Sequence, residues 1–241
     1  MNLVSFGGGA NSTAVLIGMY QKGIPVDLIL FADTGAEHPH TYQFIEIMDT
    51  WLADRGLPRI TVVQNVDKNG ERLTLETECL RSKTLPSIAY GKKRCSQKHK
   101  IAPQDKFCNH YPPCQEVWKR GEKVFKYIGY DAGEIRRRDN ALQYDSQDKK
   151  YAKVYPLIDW DWHRDDCNRE IEMAGLPLPG KSSCFFCPSM KKNEIEALAT
   201  QYPELFKRAI DLETAALPHL TKMKGLGRNY SWQSCFAKGA E

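Results

Sequence analysis

Three consecutive glycines stand where an apolar run gives way to amide and hydroxyl side chains: Leu3-Val4-Ser5-Phe6-Gly7-Gly8-Gly9-Ala10-Asn11-Ser12-Thr13. Glycines let the backbone close on an anion, and a helix opening among Asn, Ser and Thr offers unpaired N–H groups and the positive end of its dipole. The combination reads as a phosphate cradle, the alternative being a glycine-rich turn without a ligand. No lysine lies between Gly7 and Thr13, which excludes the Gly-Lys-Ser/Thr loop of kinase-like and GTPase-like proteins. Gly7 and Gly9 fit the first two glycines of a dinucleotide fingerprint, but Ser12 stands where the third belongs. A second chemical feature is Cys184-Phe185-Phe186-Cys187-Pro188. Two thiolates at that spacing suit an iron–sulfur cluster or zinc; a redox pair and inert buried thiols are the other readings. Cys108, His110 and Cys114 form a more local set of zinc-ligand types. Arg136-Arg137-Arg138 offers guanidinium groups that clamp phosphate in pairs, or else a solvated charge run.

These residues need a scaffold, and the hydrophobic pattern describes one. Residues 26–32 are a nearly continuous apolar run, as are 60–64 and 124–129, the pattern of strands buried on both faces. Between them, 12–22 and 40–55 carry helical periodicity, with Trp51 and Leu52 on the apolar face. Such alternation predicts an α/β fold with a parallel sheet covered by helices on both sides. Ligands of such sheets bind at the carboxyl ends of the strands, where the Gly7 loop, Asp33-Thr34-Gly35 and Gly129-Tyr130-Asp131 are expected. Asp33 is read as a contact to ribose, adenine or Mg²⁺, or as the cap of a helix near residue 38. The pattern further predicts an insertion near 66–122, a strand at 154–157 and a helix at 163–174. A Pro/Gly-rich loop at 175–183, two helices across 191–217 and a loosely attached tail at 222–241, with Gly225, Gly227 and Gly239, complete the chain. Two parts result: an α/β core over 1–158 and a helical part over 159–241 that carries the Cys-x-x-Cys.

The chain has 241 residues, 41% hydrophobic and 27% charged, enough for a sizeable core. Its formal charge is only +4, yet basic residues bunch at Lys92-Lys93-Arg94, 98–100, 136–138 and Lys149-Lys150, which predicts a local anion-binding face. No apolar run approaches a membrane span and the first residues read as a core strand, so a cytoplasmic protein is expected. In that setting eight cysteines point to metal or redox chemistry before disulfides.

The loop resembles the Ser-Gly-Gly-x-Asp-Ser signature of the PP-loop ATP pyrophosphatases: Gly8, Gly9 and Ser12 match, while Gly7 and Asn11 replace the serine and the aspartate. Arg94-Cys95-Ser96-Gln97-Lys98-His99-Lys100-Ile101-Ala102-Pro103 resembles the Cys-Cys-x-x-Arg-Lys-x-x-Pro segment of the cluster-bearing adenylyl-sulfate reductases of the PAPS reductase family. Cys95, Lys100 and Pro103 fall in register and Ser96 replaces the second cysteine. Gly129 to Glu134 with the arginines behind them is similar to a stretch of PAPS-reductase-like proteins. Together with Asp33-Thr34-Gly35 and Cys184-x-x-Cys187, the resemblance covers most of residues 1–190.

The resemblance implies an adenine nucleotide alpha hydrolase-like, Rossmann-like fold, with ATP, Mg²⁺ and a 4Fe–4S cluster as cofactors. It makes Ser12, Asn11 and Lys100 the catalytic candidates. Ser5, Gly7, Gly8, Gly9, Ser12, Asp33, Thr34, Gly129 and Arg137 would bind ATP. Cys95, Cys184 and Cys187 would hold the cluster, with Cys167 as a fourth ligand or as a buried helix cysteine. Reductases of this family also carry a nucleophilic cysteine in a C-terminal Glu-Cys-Gly; here Cys235 lies in Gln233-Ser234-Cys235-Phe236. The expectation is therefore an ATP pyrophosphatase that activates an acceptor oxygen for sulfur transfer, with DNA phosphorothioation favoured. A sulfonucleotide reductase and a zinc-stapled nucleotide- or nucleic-acid-binding protein are the alternatives. Implied partners are a cysteine desulfurase or other sulfur donor, DNA or another nucleic acid, further subunits and a second copy of the chain in a homodimer. Phe185, Phe186, Trp160, Trp162 and Trp232 would stack bases or shield a cluster from water.

Overall fold

The computed structural model describes residues 1–86, 93–227 and 229–236; Lys92 of the first basic run and Gly239 of the terminal stretch lie outside the described residues. The elements begin with β1 (Asn2–Phe6), α1 (Ala10–Gln21), β2 (Leu28–Asp33), α2 (Pro39–Ala53), β3 (Ile60–Gln64) and α3 (Leu75–Ser82). Next come α4 (Arg94–Ser96), which runs into a π-helical turn at Gln97–Ile101, then α5 (Ala102–His110), α6 (Pro112–Lys119), β4 (Val124–Ile128) and α7 (Ile135–Asp145). The chain continues through β5 (Tyr151–Val154), α8 (Pro156–Asp159), α9 (Arg164–Met173), α10 (Lys192–Gln201), α11 (Pro203–Ala216) and α12 (Trp232–Phe236). Among the described residues no helix is long and apolar enough to cross a membrane.

Two compact units are present. The first comprises residues 1–32, 39–63 and 104–182 and is built on the sheet. Strand order is β3-β2-β1-β4-β5, and β1 pairs in parallel with both β2 and β4, as β4 does with β5. Alternating strand residues feed two cores. Val4, Phe6, Ile29 and Phe31 pack with α1, α2 and α9, whereas Leu3, Leu28 and Leu30 pack with Cys108, Cys114, Val117 and Tyr151. The period of two explains how a continuous apolar strand serves both faces. Strand order reverses between β1 and β4, so the loops leaving these two strands flank the switch point of the sheet, where such folds place ligands.

The second unit comprises 33–38, 64–103 and 183–241. Its core joins Leu75 and Cys79 of α3 to Phe185, Phe186, Ile195, Leu198, Leu212 and Trp232. Residues 159–182 thus group with the sheet, and 64–103 with the C-terminal helices. Two local expectations are corrected. The last strand lies at Tyr151–Val154 instead of 154–157, because Pro156, lacking an N–H and fixed in φ, opens α8 at its first turn. The described part of the stretch from 222, up to Phe236, is also no loose tail. Leu226 and Trp232 are buried, and the Glu213 carboxylate accepts from the N–H groups of Leu226, Trp232 and Gln233 and from the Ser231 hydroxyl.

Candidate functional site

In the first unit the chain leaves β1 at Phe6 and turns through the three glycines into α1. Gly8 sits at φ +72°, and a Cβ there would lie 2.9 Å from Thr41 Cγ2, so glycine is required both for the turn and for the space. Gly9 is the N-cap of α1 and provides no side-chain cap. A helix start left uncapped by a side chain keeps N–H groups directed at the loop mouth, the arrangement that binds phosphate. The loop is braced by its own hydroxyls. Ser12 Oγ accepts from the Gly7 N–H at 3.0 Å and donates to the Gly9 carbonyl at 3.0 Å; Thr13 donates to the same carbonyl, and Ser182 donates to the carbonyl of Gly7. Ser12 therefore fixes the shape of the cradle.

Asn11 points the other way, toward the loop after β4. Its Nδ2 donates to Asp131 Oδ2 at 3.0 Å and to Glu134 Oε2 at 3.2 Å, while its buried Oδ1 has no partner. Asp131 and Glu134 also close a capping box over the short 3-10 turn before α7. Gly129 is glycine because a Cβ would meet the backbone of Asn11 and Ser12 at 2.9 Å, so the β4 loop approaches the start of α1 closely. Arg137 lies over the Tyr130 ring and donates to Glu134 at 2.8 Å. Ser5 Oγ, inside β1, donates to Gln104. Gly7, Gly8, Gly9, Asn11, Ser12, Gly129 and Arg137 are thus gathered around the β1–β4 switch point.

Asp33 and Thr34, expected to face the nucleotide, open the second unit and are engaged there. Asp33 Oδ1 accepts from the Gly35 N–H at 2.7 Å and Oδ2 from Arg72 at 2.5 Å, so the carboxylate shapes this turn. Thr34, 1% exposed, has its hydroxyl 3.2 Å from Glu37 Oε1 and 3.4 Å from Cys184 Sγ. Lys100 joins the same group, donating to Glu37 Oε1 at 3.0 Å. Burial works to lower the Lys100 ammonium, but the Glu37 carboxylate and the Cys184 and Cys187 thiols hold it above its ordinary range. Burial and then Glu37 push the Cys184 thiol up; burial and then Cys187 do the same to Cys95. Cys95, Cys184 and Cys187 all pack against the core of this unit, and Cys187 is near enough to act on the thiols of both Cys95 and Cys184.

Cys167 lies in the first unit, fully buried on α9, where burial and Asp131 push its thiol up to about 12; it packs there as a small apolar side chain. The set of Cys108, His110 and Cys114 is not assembled. Both cysteines are 0% exposed in the core, whereas His110 is exposed and bonds the carbonyl of Lys106. Among the described residues no three or more His, Cys, Asp or Glu side chains form a group that could hold a single metal ion. Phe185, Phe186 and Trp232 are 0–1% exposed and present no face to a base. Trp160 and Trp162 flank the Lys22 ammonium.

Glu37 is the residue that sequence reasoning missed. Its side chain is 0% exposed, it anchors Lys100, and its Oε2 has no partner. The one signal was an acid directly behind Asp33-Thr34-Gly35-Ala36. Ser182 was equally silent, its only mark being a place just before the cysteine pair.

The parallel sheet, the glycine turn at its switch point and the helices around it define a Rossmann-like α/β protein. A family model for the phosphoadenosine phosphosulfate reductase domain matches residues 1–177, and the chain belongs to that family. Among solved structures it is similar to the U34-tRNA thiolase NcsA from Methanococcus maripaludis with its 4Fe–4S cluster, at 15% identity and a TM-score of 0.45, over 91% of this chain and 73% of that one. No curated protein matches the sequence.

Proposed function

We propose that the protein is a sulfurtransferase that cleaves ATP to AMP and pyrophosphate at the Gly7–Thr13 loop, holds a 4Fe–4S cluster on Cys95, Cys184 and Cys187, and delivers sulfur to DNA. The observation that carries this reading is the gathering of three thiols from two distant stretches on one core, beside the half-buried Lys100 ammonium. The donor set fits the group: soft thiolates bind iron, and a fixed cation offsets the negative charge of a thiolate-ligated cluster. Ligation would expel the protons that burial favours on Cys95 and Cys184. When bound, the cluster supplies a soft iron site for sulfur.

The phosphate loop fits as well, since the space at Gly8 is one that a Cβ would fill. Backbone N–H groups of Gly8 and Gly9 and the α1 dipole would hold the leaving pyrophosphate, with Ser12 keeping the loop in shape. Asp131 and Glu134 are the oxygen donors suited to Mg²⁺, held in place by the Asn11 amide. DNA as acceptor is supported by α7, which buries none of its residues and carries Arg136, Arg137 and Arg138. It is supported also by the departure of Cys235 from the reductase motif.

The test is iron and acid-labile sulfide content of anaerobically purified protein, together with AMP release from ATP. Iron with matching sulfide is expected in the wild type and is lost in Cys184→Ser, while Gly8→Val abolishes AMP release and keeps the iron. Zinc in place of iron, or no ATP turnover in iron-loaded protein, would overturn the reading. A sulfonucleotide reductase is the second reading, favoured by the exposure of Cys235 on α12. It requires sulfite release from adenylyl sulfate or its 3′-phosphorylated form that Cys235→Ser abolishes.

A further inference from the structure

The second unit contains a cavity of about 320 Å³, within the size range of small-molecule sites, that no step above employs. Leu75, Leu85, Pro86, Leu220 and Met223 give it apolar walls. The rest of the lining includes a chemically pointed set, Cys95, Arg94, Lys98, Glu78 and His99. His99 is 1% exposed; its Nε2 lies 2.5 Å from Glu78 Oε2 and its Nδ1 has no partner. Lys98 donates to the other oxygen of Glu78 at 2.6 Å. Both come from the π-helical turn, and that backbone irregularity is a frequent mark of functional sites. It lets adjacent side chains reach Glu78 while Lys100 reaches Glu37. Arg94 is exposed and makes no ion pair with a carboxylate among the described residues.

Each part of the lining restricts the ligand. A hydrocarbon would fill the walls but leave His99 Nδ1, which has no partner, facing nothing polar; the Ser82 and Thr84 hydroxyls, which also line the cavity, are already bonded to one another and to the Glu78 carbonyl. A small polar anion would satisfy Arg94 and Lys98 but leave the apolar walls wet. A planar base with apolar faces and a hydrogen-bonding edge, joined to a phosphate, satisfies all three. We propose that the cavity binds one nucleotide unit, base among the apolar walls and His99, phosphate on Arg94 and Lys98, beside the Cys95 sulfur. The proposal deepens the sulfur-transfer reading, on which it rests for the identity of this nucleotide as the acceptor.

Thymidine 5′-monophosphate is titrated calorimetrically into the full chain, purified anaerobically and saturated with α,β-methylene-ATP to fill the Gly7 loop. One equivalent is expected to bind. Arg94→Ala, at an exposed position that the fold tolerates, should weaken it at least about tenfold, and Met223→Trp, which fills the cavity, should abolish it. Neither change should alter binding of the ATP analogue. A tetrathymidylate that competes with the mononucleotide assigns the pocket to a nucleotide within a strand; failure to compete assigns it to a free nucleotide. Absence of thymidylate binding, or binding indifferent to both substitutions, overturns the inference. Absence of ATP-analogue binding would instead overturn the proposed function, and the thymidylate titration remains readable by itself.

Discussion

Asn11 is the residue at which this chain departs most sharply from the pyrophosphatase signature, and its surroundings give the reason. The amide donates to two carboxylates, Asp131 and Glu134; an aspartate there would place a third negative charge against them. Asn11→Asp should therefore cost about 2–4 kcal/mol without metal, through two lost charge-assisted hydrogen bonds and new repulsion, and Mg²⁺ should restore much of it. Thermal melts with and without MgCl2 measure both. Glu78 shows the opposite balance. Burial works to raise its carboxyl, but Lys98 and His99 outweigh burial and hold it below its ordinary 4.5. A carboxyl held low in the folded protein contributes stability above its unfolded value and loses it as the pH falls from about 4.5 through the lowered one. The acid limb of stability against pH should accordingly be shallower in Glu78→Gln, and identical limbs would exclude this role. At this scale the sequence was legible where geometry forces a residue type, as at Gly8 and Gly129. It was silent for Glu37, because a single acid in a loop has neither period nor spacing to mark it.

Among the elements, α1 was the most readable, its apolar run being continuous and its start marked by glycines. The same helix contains a glycine that propensity alone misjudges. Replacing a mid-helix glycine by alanine gains up to about 1 kcal/mol, yet a Cβ on Gly18 would lie 2.3 Å from the Trp160 ring. Overpacking of that kind costs about 1–3 kcal/mol, so Gly18→Ala should destabilise by roughly 1–2 kcal/mol, seen as a lower denaturation midpoint at constant slope. The C-terminal stretch was misread for a related reason. Glu213 stands within Ile210-Asp211-Leu212-Glu213-Thr214 and looks like a solvent-facing acid, whereas it is 0% exposed and gathers four donors from residues 226–233. Glu213→Ala leaves those donors unmet, at about 1–3 kcal/mol each for the buried ones, and should expose the chain near Lys222 and Lys224 to trypsin. Wild-type resistance persisting in the variant would show that packing of Trp232 alone holds the segment.

For the molecule as a whole, strand–helix alternation made the sheet and its switch point legible, because a doubly covered parallel sheet imposes both the period and the order of its elements. The division into units was not legible, since each is assembled from three separated stretches and composition does not shift where the chain leaves one for the other. No contiguous fragment contains either unit, so truncation is no route to testing them apart. The three thiols share this dispersal. About 90 residues separate Cys95 from Cys184, which at ~5–20 residues per second is roughly 5–20 s of translation. Throughout that interval Cys95 is on a nascent chain that still lacks Cys184 and Cys187. Its survival in reduced form is then a matter of timing, and any cluster is installed only after the ribosome has passed Pro188.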